Sequence, residues 1–150
     1  MVGHREKPAA DILLVEDNPG DVRLIEDAFS QGSTNSTLHV VTDGKQALDF
    51  LNRQGSYANA TRPDLVLLDL NVPRVSGFDV LARIRAEHAL STLPVIVLTG
   101  SRSADDVALS YRLHANAYVT KPPDPRALAR LVRTLEEFWL TVVELPTGGR

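Results

Sequence analysis

The sequence predicts a single α/β domain, a three-layer sandwich in which helices cover both faces of a parallel β-sheet. Short apolar runs alternate with longer amphipathic segments five times along the 150 residues, a pattern typical of parallel sheets. Two of the runs, residues 65–68 (LVLL) and 95–98 (VIVL), are apolar without a break, as expected of strands buried on both faces. No Pro/Gly-rich linker divides the chain, and its length fits one domain.

The predicted elements form five strand–helix pairs. The first strand spans residues 12–15, and the first helix spans Pro19–Ser30, with Asn18 as its N-cap and Pro19 at its first position. The later pairs are predicted at 38–42 and 44–53, 64–68 and 78–87, 94–98 and 104–113, and 117–119 followed by a long helix over 125–144. A polar loop at 55–62 separates the second pair from the third.

The composition excludes several classes of protein. There is no cysteine, so neither a disulfide framework nor a thiolate metal site can form. The net charge of −3 gives no electrostatic support for nucleic-acid binding. No apolar run approaches the ~20 residues that span a membrane, and the first eight residues lack the apolar core of a signal peptide. We therefore expect a cytoplasmic protein that binds neither nucleic acid nor membrane.

Polar side chains follow the four predicted strands that would line the crevice at the carboxyl edge of the sheet, at the point where each strand ends. Glu16 and Asp17 follow the first strand, Asp69 the third, Thr99 the fourth and Lys121 the fifth. Taken singly, each has a simpler interpretation, such as a helix cap, a turn carboxylate or a surface lysine. Because ligands of open parallel sheets bind outside the carboxyl ends of the strands, their joint occurrence favours a functional site.

The chemistry of this set points to phosphoryl transfer. Three carboxylates placed close together raise one another's pKa, and a hard divalent cation such as Mg²⁺, which prefers oxygen ligands, relieves their repulsion. A carboxylate can also act as a nucleophile and form an acyl phosphate, whose oxygens an ammonium and a hydroxyl group would bind. We therefore predict Mg²⁺-dependent phosphorylation of one aspartate, Asp69.

The same residues resemble the response-regulator receiver domain of two-component signalling. The segments that carry the resemblance are 14–18 (LVEDN), 63–73 (PDLVLLDLNVP), Gly77, 97–99 (VLT) and 118–122 (YVTKP). The resemblance implies a flavodoxin-like (βα)5 fold with a five-stranded sheet in the order 2-1-3-4-5. It also implies a division into an N-terminal tail (1–10), a receiver domain (11–134), and a C-terminal helix extension and tail (135–150).

The resemblance assigns a role to each residue of the acidic site. Asp69 would be the phosphoacceptor. Asp17, Asp69 and the backbone carbonyl of Asn71 would bind Mg²⁺ directly, whereas Glu16 would bind it through a water molecule. The pair Glu16–Asp17 departs from the commoner pair of two aspartates, but it keeps the oxygen ligands that the metal needs.

The resemblance also implies a switch beside the acidic site. Thr99 would bind a phosphoryl oxygen, and Lys121 would pair with the phosphoryl group and with Asp69. Tyr118 would change its rotamer as Thr99 moves, although a half-buried strand tyrosine is the simpler interpretation of that residue. A cis peptide would precede Pro122.

Three further segments resemble the stand-alone receivers that serve phytochrome-type histidine kinases. They are 18–22 (NPGDV), 24–29 (LIEDAF) and 138–146 (FWLTVVELP). The implied function is a single-domain response regulator that takes a phosphoryl group from such a kinase. Only sixteen residues follow Thr134, so we expect output through protein–protein interaction rather than through a DNA-binding domain. A phosphorelay intermediate or a phosphate sink with no effector of its own is the alternative.

The last predicted helix favours self-association. Its apolar residues recur at helical spacing, and a helix over 125–144 would be ~30 Å long, whereas a five-residue strand spans only ~17 Å. The end of the helix would therefore overhang the sheet. We expect a homodimer with Phe138, Trp139, Val142 and Val143 at its interface, unless this segment folds back on its own domain.

Two other functions fit the sequence less well. A haloacid-dehalogenase-type phosphatase also uses an aspartyl nucleophile with Mg²⁺, but it needs an acid two residues further on, where this chain has Asn71. A flavodoxin-like FMN binder shares the topology, but Glu16 and Asp17 would repel a phosphate from the loop after the first strand. The chain also lacks a Gly-rich nucleotide loop.

Overall fold

The computed structural model describes residues 9–32 and 34–146. The predicted tails at 1–8 and 147–150 lie outside these residues. The strands are β1 (Ala10–Val15), β2 (Ser36–Val41), β3 (Leu65–Leu68), β4 (Val95–Thr99) and β5 (Ala117–Thr120). The α-helices are α1 (Pro19–Ser30), α2 (Gly44–Leu51), α3 (Gly77–Ala86), α4 (Ala104–Arg112) and α5 (Pro125–Glu137). Short 3₁₀ turns occupy Gly55–Tyr57 and His88–Leu90, and a π-helix follows α5 at Phe138–Val142.

The five strands form one parallel sheet in the order β2-β1-β3-β4-β5, which confirms the predicted fold and strand order. Successive side chains of a strand point to opposite faces, so each central strand contributes to two apolar cores. Residues such as Leu13, Val66 and Val97 pack under α2 and α3. Their neighbours Leu14, Leu67 and Ile96 pack under α1 and α5.

Each helix that follows a strand begins with a side-chain cap at the carboxyl edge of the sheet. Asn18 accepts a hydrogen bond from the backbone N–H of Asp21 at the start of α1, as the sequence predicted for this N-cap. Four residues cap the other helices in the same way: Asp43, Ser76, Ser103 and Asp124. Because these caps fix where each helix begins, they also fix the loops that carry the polar residues.

Most predicted boundaries differ from the observed ones by one or two residues. α2 ends at Leu51 rather than at residue 53, because Arg53 adopts a left-handed φ of 55°, which a right-handed helix cannot contain. β2 ends at Val41 rather than at Thr42, whose backbone N–H donates instead to the side chain of Gln46.

The long C-terminal helix is present, but its last part is not α-helical. The backbone N–H of Val143 donates to the carbonyl of Phe138, five residues earlier, at 3.0 Å. Thr141 and Val142 in this turn are β-branched and favour an α-helix less than unbranched side chains do. The turn buries Leu140, while the half-buried Trp139 and Leu145 pack on the α1 and α5 side of the sheet. Part of the segment therefore folds back on its own domain.

Candidate functional site

The structure brings the polar residues at the strand ends together at the carboxyl edge of β1, β3, β4 and β5. One oxygen atom from each of Glu16, Asp17 and Asp69 lies within 4.8 Å of the other two. Glu16, Asp69 and Thr99 are buried, whereas Asp17 is exposed. The site therefore has a buried floor and one carboxylate that faces solvent.

The ammonium group of Lys121 lies at the centre of this cluster and is only 11% exposed. Its Nζ donates to Glu16 Oε1 at 2.8 Å, to Asp21 Oδ2 at 2.8 Å and to Asp69 Oδ2 at 3.1 Å. An ammonium has three N–H donors, and carboxylates accept all three. Burial lowers the pKa of Lys121, but the hydrogen bonds to Asp21 and Glu16 outweigh this effect and raise it overall.

The sequence did not identify Asp21 as a residue of the site. It is the third residue of α1, and its backbone N–H is bound by the Asn18 cap. A signal was present, because an acidic residue three positions after an N-cap lies in the first turn of a helix that starts at the carboxyl edge of the sheet. That position alone also fits an acidic residue that stabilises the helix dipole.

Asp69 is held on both of its oxygen atoms. Its Oδ1 accepts hydrogen bonds from Thr99 Oγ1 at 2.8 Å and from the backbone N–H of Asn71 at 3.2 Å, while Lys121 binds Oδ2. Burial alone would raise the pKa of Asp69, but the Thr99 hydroxyl and the charge of Lys121 bring it below its ordinary value of 3.8. The carboxylate is therefore ionised and fixed in orientation at neutral pH.

Glu16 is the most deeply buried carboxylate of the cluster, with 1% of its surface exposed. Its Oε2 accepts the backbone N–H of Asn18 at 3.1 Å. Burial raises the pKa of Glu16 from 4.5 to about 7; the bond to Lys121 lowers it, and the negative charge of Asp69 adds to the rise. The pocket as a whole holds four carboxyl groups and a single ammonium group.

The donor set fits a hard divalent cation. Three carboxylate oxygens lie close enough to share one ion, and oxygen is the ligand that Mg²⁺ and Mn²⁺ bind best. Glu16, Asp17 and Asp69 could hold such an ion, and the exposed Asn71 lies two residues beyond Asp69 at the same edge. A divalent cation would also offset the excess negative charge.

Two glycines hold the loop between Asp69 and α3. A Cβ atom on Gly77 would lie 2.4 Å from the backbone oxygen of Asp69, and one on Gly44 would lie 1.8 Å from the backbone oxygen of Val75. Real Cβ atoms do not approach backbone this closely. Only glycine therefore allows the start of α3 to lie against Asp69 and the start of α2 to lie against the loop.

The tyrosine and serine near the site form a separate network. The hydroxyl of Tyr118 donates to the backbone oxygen of Ser101 at 2.9 Å, and Ser101 Oγ donates to Asp106 Oδ2 at 2.6 Å. Tyr118 therefore lies over the loop that follows Thr99.

The expectation of a cis peptide before Pro122 was wrong. Within residues 9–32 and 34–146 every peptide bond is trans, which is the form that X–Pro bonds favour intrinsically.

The four residues predicted at a dimer interface do not share one environment. Phe138 is 50% exposed and Val142 is 64% exposed, whereas Trp139 and Val143 are half-buried. Phe138 and Val142 line a shallow groove with Thr134, Glu137 and Thr141.

Comparison with known proteins identifies the family. The profile of the response regulator receiver domain matches residues 12–133. The chain belongs to this family. It is therefore a signalling protein of the receiver type, as the resemblance indicated.

Individual relatives match over nearly their whole lengths. The response regulator Rcp1 of Synechocystis sp. (strain ATCC 27184 / PCC 6803 / Kazusa) is 44% identical over 141 residues, which are 94% of this chain and 96% of that protein. A crystal structure of the Mn²⁺-bound form of Rcp1 has a TM-score of 0.89 at 43% identity, covering 92% and 99% of the two chains. The structure of the phosphorylated cyanobacterial phytochrome response regulator RcpA has a TM-score of 0.90 at 44% identity, covering 93% and 100%.

The likeness defines the type of protein more closely than the family profile does. Because Rcp1 aligns over 94% of this chain and 96% of its own length, this chain is a receiver similar to stand-alone response regulators, which include a phytochrome response regulator. Among the residues that the structure describes, no helix is both long and apolar enough to cross a membrane.

Proposed function

We propose that this receiver accepts a phosphoryl group on Asp69 in a Mg²⁺-dependent reaction, and that the donor is the phosphohistidine of a phytochrome-type histidine kinase. The observation that carries the proposal is the environment of Asp69, whose two oxygens are held by Thr99 and Lys121 within a cluster of carboxylates. The end-to-end likeness to a phytochrome response regulator supports the choice of kinase.

The residues of the site divide the work of phosphoryl transfer. A carboxylate oxygen of Asp69 attacks phosphorus, so the new P–O bond forms as the P–N bond to the histidine breaks. Lys121 and Thr99, which now hold the oxygens of Asp69, donate to phosphoryl oxygens and stabilise the charge that develops on them. Glu16, Asp17, Asp69 and the Asn71 carbonyl would hold Mg²⁺, which supplies charge neutralisation and alignment when bound.

The same geometry supports a slow hydrolysis of the acyl phosphate. Attack of water on phosphorus would break the P–O bond to Asp69 and restore the carboxylate, with Lys121 and Thr99 again stabilising the charge. We propose that the chain catalyses both its own phosphorylation and this slow hydrolysis. Thr99 lies at the end of β4 and Tyr118 within β5, so a shift of Thr99 toward a phosphoryl oxygen would reach the Tyr118–Ser101 contact.

Incubation with acetyl phosphate and Mg²⁺, followed by intact-protein mass spectrometry, tests the phosphorylation. We expect one phosphoryl group on the wild-type chain, none without Mg²⁺ and none on Asp69→Asn. Asp79→Asn is the control, because Asp79 is exposed and lies in the first turn of α3. Failure of the wild type to be modified, or modification that persists in Asp69→Asn, would contradict the proposal. A purified phytochrome-type kinase then tests the donor.

We also propose that two copies associate through Phe138 and Val142. These side chains are apolar, exposed and one helical turn apart, and an exposed apolar patch usually marks an interface. Light scattering of the wild type should give the mass of a dimer, and Phe138→Ser with Val142→Ser should give a monomer. A wild-type monomer at high concentration, with and without acetyl phosphate, would contradict this proposal.

A further inference from the structure

Lys121 has one acceptor that the proposed reaction does not otherwise use. Its three N–H groups are bound by Glu16, Asp21 and Asp69. Asp69 is the proposed phosphoacceptor, and Glu16 belongs to the set of oxygens that could share a metal ion. Asp21 belongs to neither group, although its bond to Lys121, at 2.8 Å, is as short as that of Glu16 and shorter than that of Asp69.

The other two bonds must weaken during the reaction. When Asp69 is phosphorylated, its carboxylate becomes an acyl phosphate and loses charge, and Lys121 must turn one N–H toward a phosphoryl oxygen. A metal ion near Glu16 would compete with Lys121 for the negative charge of that side chain. We expect the bond to Asp21 to persist, because Asp21 lies on α1 and its backbone N–H donates to the side chain of Asn18.

We infer that Asp21 is the positioning residue for Lys121, which it holds with one N–H directed at Asp69 while the phosphoryl group arrives and leaves. The inference rests on the proposed function of Asp69. The chain of contacts is short, since Asn18 fixes Asp21 at 3.0 Å, Asp21 fixes Lys121, and Lys121 reaches Asp69 at 3.1 Å. Side-chain exposures of 27% for Asp21 and 11% for Lys121 limit competition from water.

The fold provides a matched control for a merely structural role. Asp79 stands three residues after the Ser76 cap of α3, as Asp21 stands three residues after the Asn18 cap of α1, and both donate a backbone N–H to the cap. Both aspartates lie in the first turn of a helix and stabilise its dipole equally well. Within the described residues, Lys121 binds Asp21 but not Asp79.

The test compares phosphorylation rates with acetyl phosphate at saturating Mg²⁺. Asp21→Ala should slow the reaction about fivefold to thirtyfold, the equivalent of losing one or two kcal/mol of interaction, while the Mg²⁺ concentration for half-maximal rate stays the same. Asp79→Ala should leave the rate within twofold. Asp21→Asn should recover part of the loss, because its amide oxygen can still accept a hydrogen bond from Lys121.

A second measurement does not depend on phosphorylation or on metal. Only three lysines are present in the chain, so the ammonium signal of Lys121 can be assigned by NMR on ¹⁵N-lysine-labelled protein. In metal-free protein we expect Asp21→Ala to shift or broaden this signal and Asp79→Ala to leave it unchanged.

The two measurements distinguish a failure of the inference about Asp21 from a failure of the proposed function of Asp69. An unchanged Lys121 signal in Asp21→Ala, or equal rate losses in Asp21→Ala and Asp79→Ala, would overturn the inference. A wild type that takes up no phosphoryl group would instead contradict the proposed function, and the NMR signal would still decide whether Asp21 holds Lys121.

Discussion

Two partly buried cations lie at opposite ends of β5 and are held in opposite ways. Lys121, just after the strand, is bound by three carboxylates. Arg85, on α3, reaches the segments that lead into β4 and β5, where it donates to neutral oxygens. Its acceptors are the backbone oxygens of Ser91, Leu93 and His114, at 3.2, 2.7 and 3.0 Å, and Asn116 Oδ1 at 2.9 Å.

The difference separates a cation that stabilises the fold from one that we propose to act in phosphoryl transfer. Burial lowers the pKa of Arg85, whereas its carboxylate partners raise the pKa of Lys121. The carbonyl groups around Arg85 are satisfied by it and have no excess charge to attract a ligand. The carboxylates around Lys121 outnumber it, so that end of the sheet attracts further positive charge. Satisfied hydrogen bonds stabilise a fold, whereas unbalanced charge indicates a binding site.

Of the substitutions that distinguish the two ends of β5, Lys121→Gln should have the largest effect on the phosphorylation rate. This change removes the ammonium that would stabilise the phosphoryl oxygens, and loss of one such donor typically costs about 100-fold or more in rate. The measurement is the rate of Asp69 phosphorylation by acetyl phosphate. Lys45→Gln is the control, because Lys45 is exposed and pairs only locally with Asp49. A Lys121→Gln rate close to that of the wild type would contradict the proposed role of Lys121 in phosphoryl transfer.

Arg85→Ala should have the reverse pattern. It leaves partly buried carbonyl oxygens of Ser91 and Leu93 without their donor, which should lower the free energy of unfolding by about 2–3 kcal/mol. Urea unfolding measures this loss, and Arg83→Ala, at an exposed position on the same helix, is its control. The phosphorylation rate of the folded Arg85→Ala protein should equal that of the wild type. A slower phosphorylation rate in Arg85→Ala with an unchanged free energy of unfolding would contradict the assignment of Arg85 as a structural cation.

Mg²⁺ should stabilise one end of the sheet without affecting the other. At ten times its dissociation constant, an ion that binds only the folded chain adds about 1.4 kcal/mol to the free energy of unfolding. We expect this gain in the wild type and in Arg85→Ala, and its loss in Asp17→Asn. Urea unfolding with and without Mg²⁺ measures the gain. Equal stabilisation of Asp17→Asn would show that the ion binds elsewhere.

The sequence predicted the residues around Lys121 far better than the hydrogen bonds around Arg85. Unbroken apolar runs placed the strands, and residues that follow a strand end must lie at one edge, so Asp69, Thr99 and Lys121 could be located from the chain alone. Asp21 could not, because an acidic residue in the first helical turn fits a helix dipole as well as a lysine partner. Arg85 could not either, because three of its acceptors are backbone oxygens, which carry no sequence signal, and the fourth is the side-chain oxygen of Asn116, 31 residues away along the chain.

The predicted α-helix over 125–144 was wrong in its last part for a related reason. Helical spacing predicted an apolar stripe through residue 143, but spacing cannot tell an α-turn from a π-turn. The π-turn determines that Leu140 is buried while Phe138 and Val142 are exposed. A tertiary contact near the end of α5 adds a buried acid that no pattern indicates, because Glu136 is 2% exposed and binds the hydroxyl of Thr34.

The smallest expected effect comes from the buried carboxyl group of Glu136, an acidic group where the two regions compared above hold cations. A Cβ atom on Gly32 would collide with its carboxyl group, and its Oε1 has no hydrogen-bond partner within the described residues. Burial raises the pKa of Glu136 above its ordinary value of 4.5; the bonds from Thr34 lower it, the charge of Glu137 raises it further, and the exposed Arg133 offsets part of the rise.

The raised pKa of Glu136 makes the stability of the fold depend on pH. An acid whose pKa is raised by folding binds more protons in the folded than in the unfolded state, so its contribution to stability is lost as the pH rises from 4.5 through the folded pKa. Glu136→Gln does not titrate and should gain stability relative to the wild type across that interval. Urea unfolding from pH 4 to 8 measures the difference, with the exposed Glu26→Gln as control. A constant difference across that range would mean that folding leaves the pKa of Glu136 unchanged.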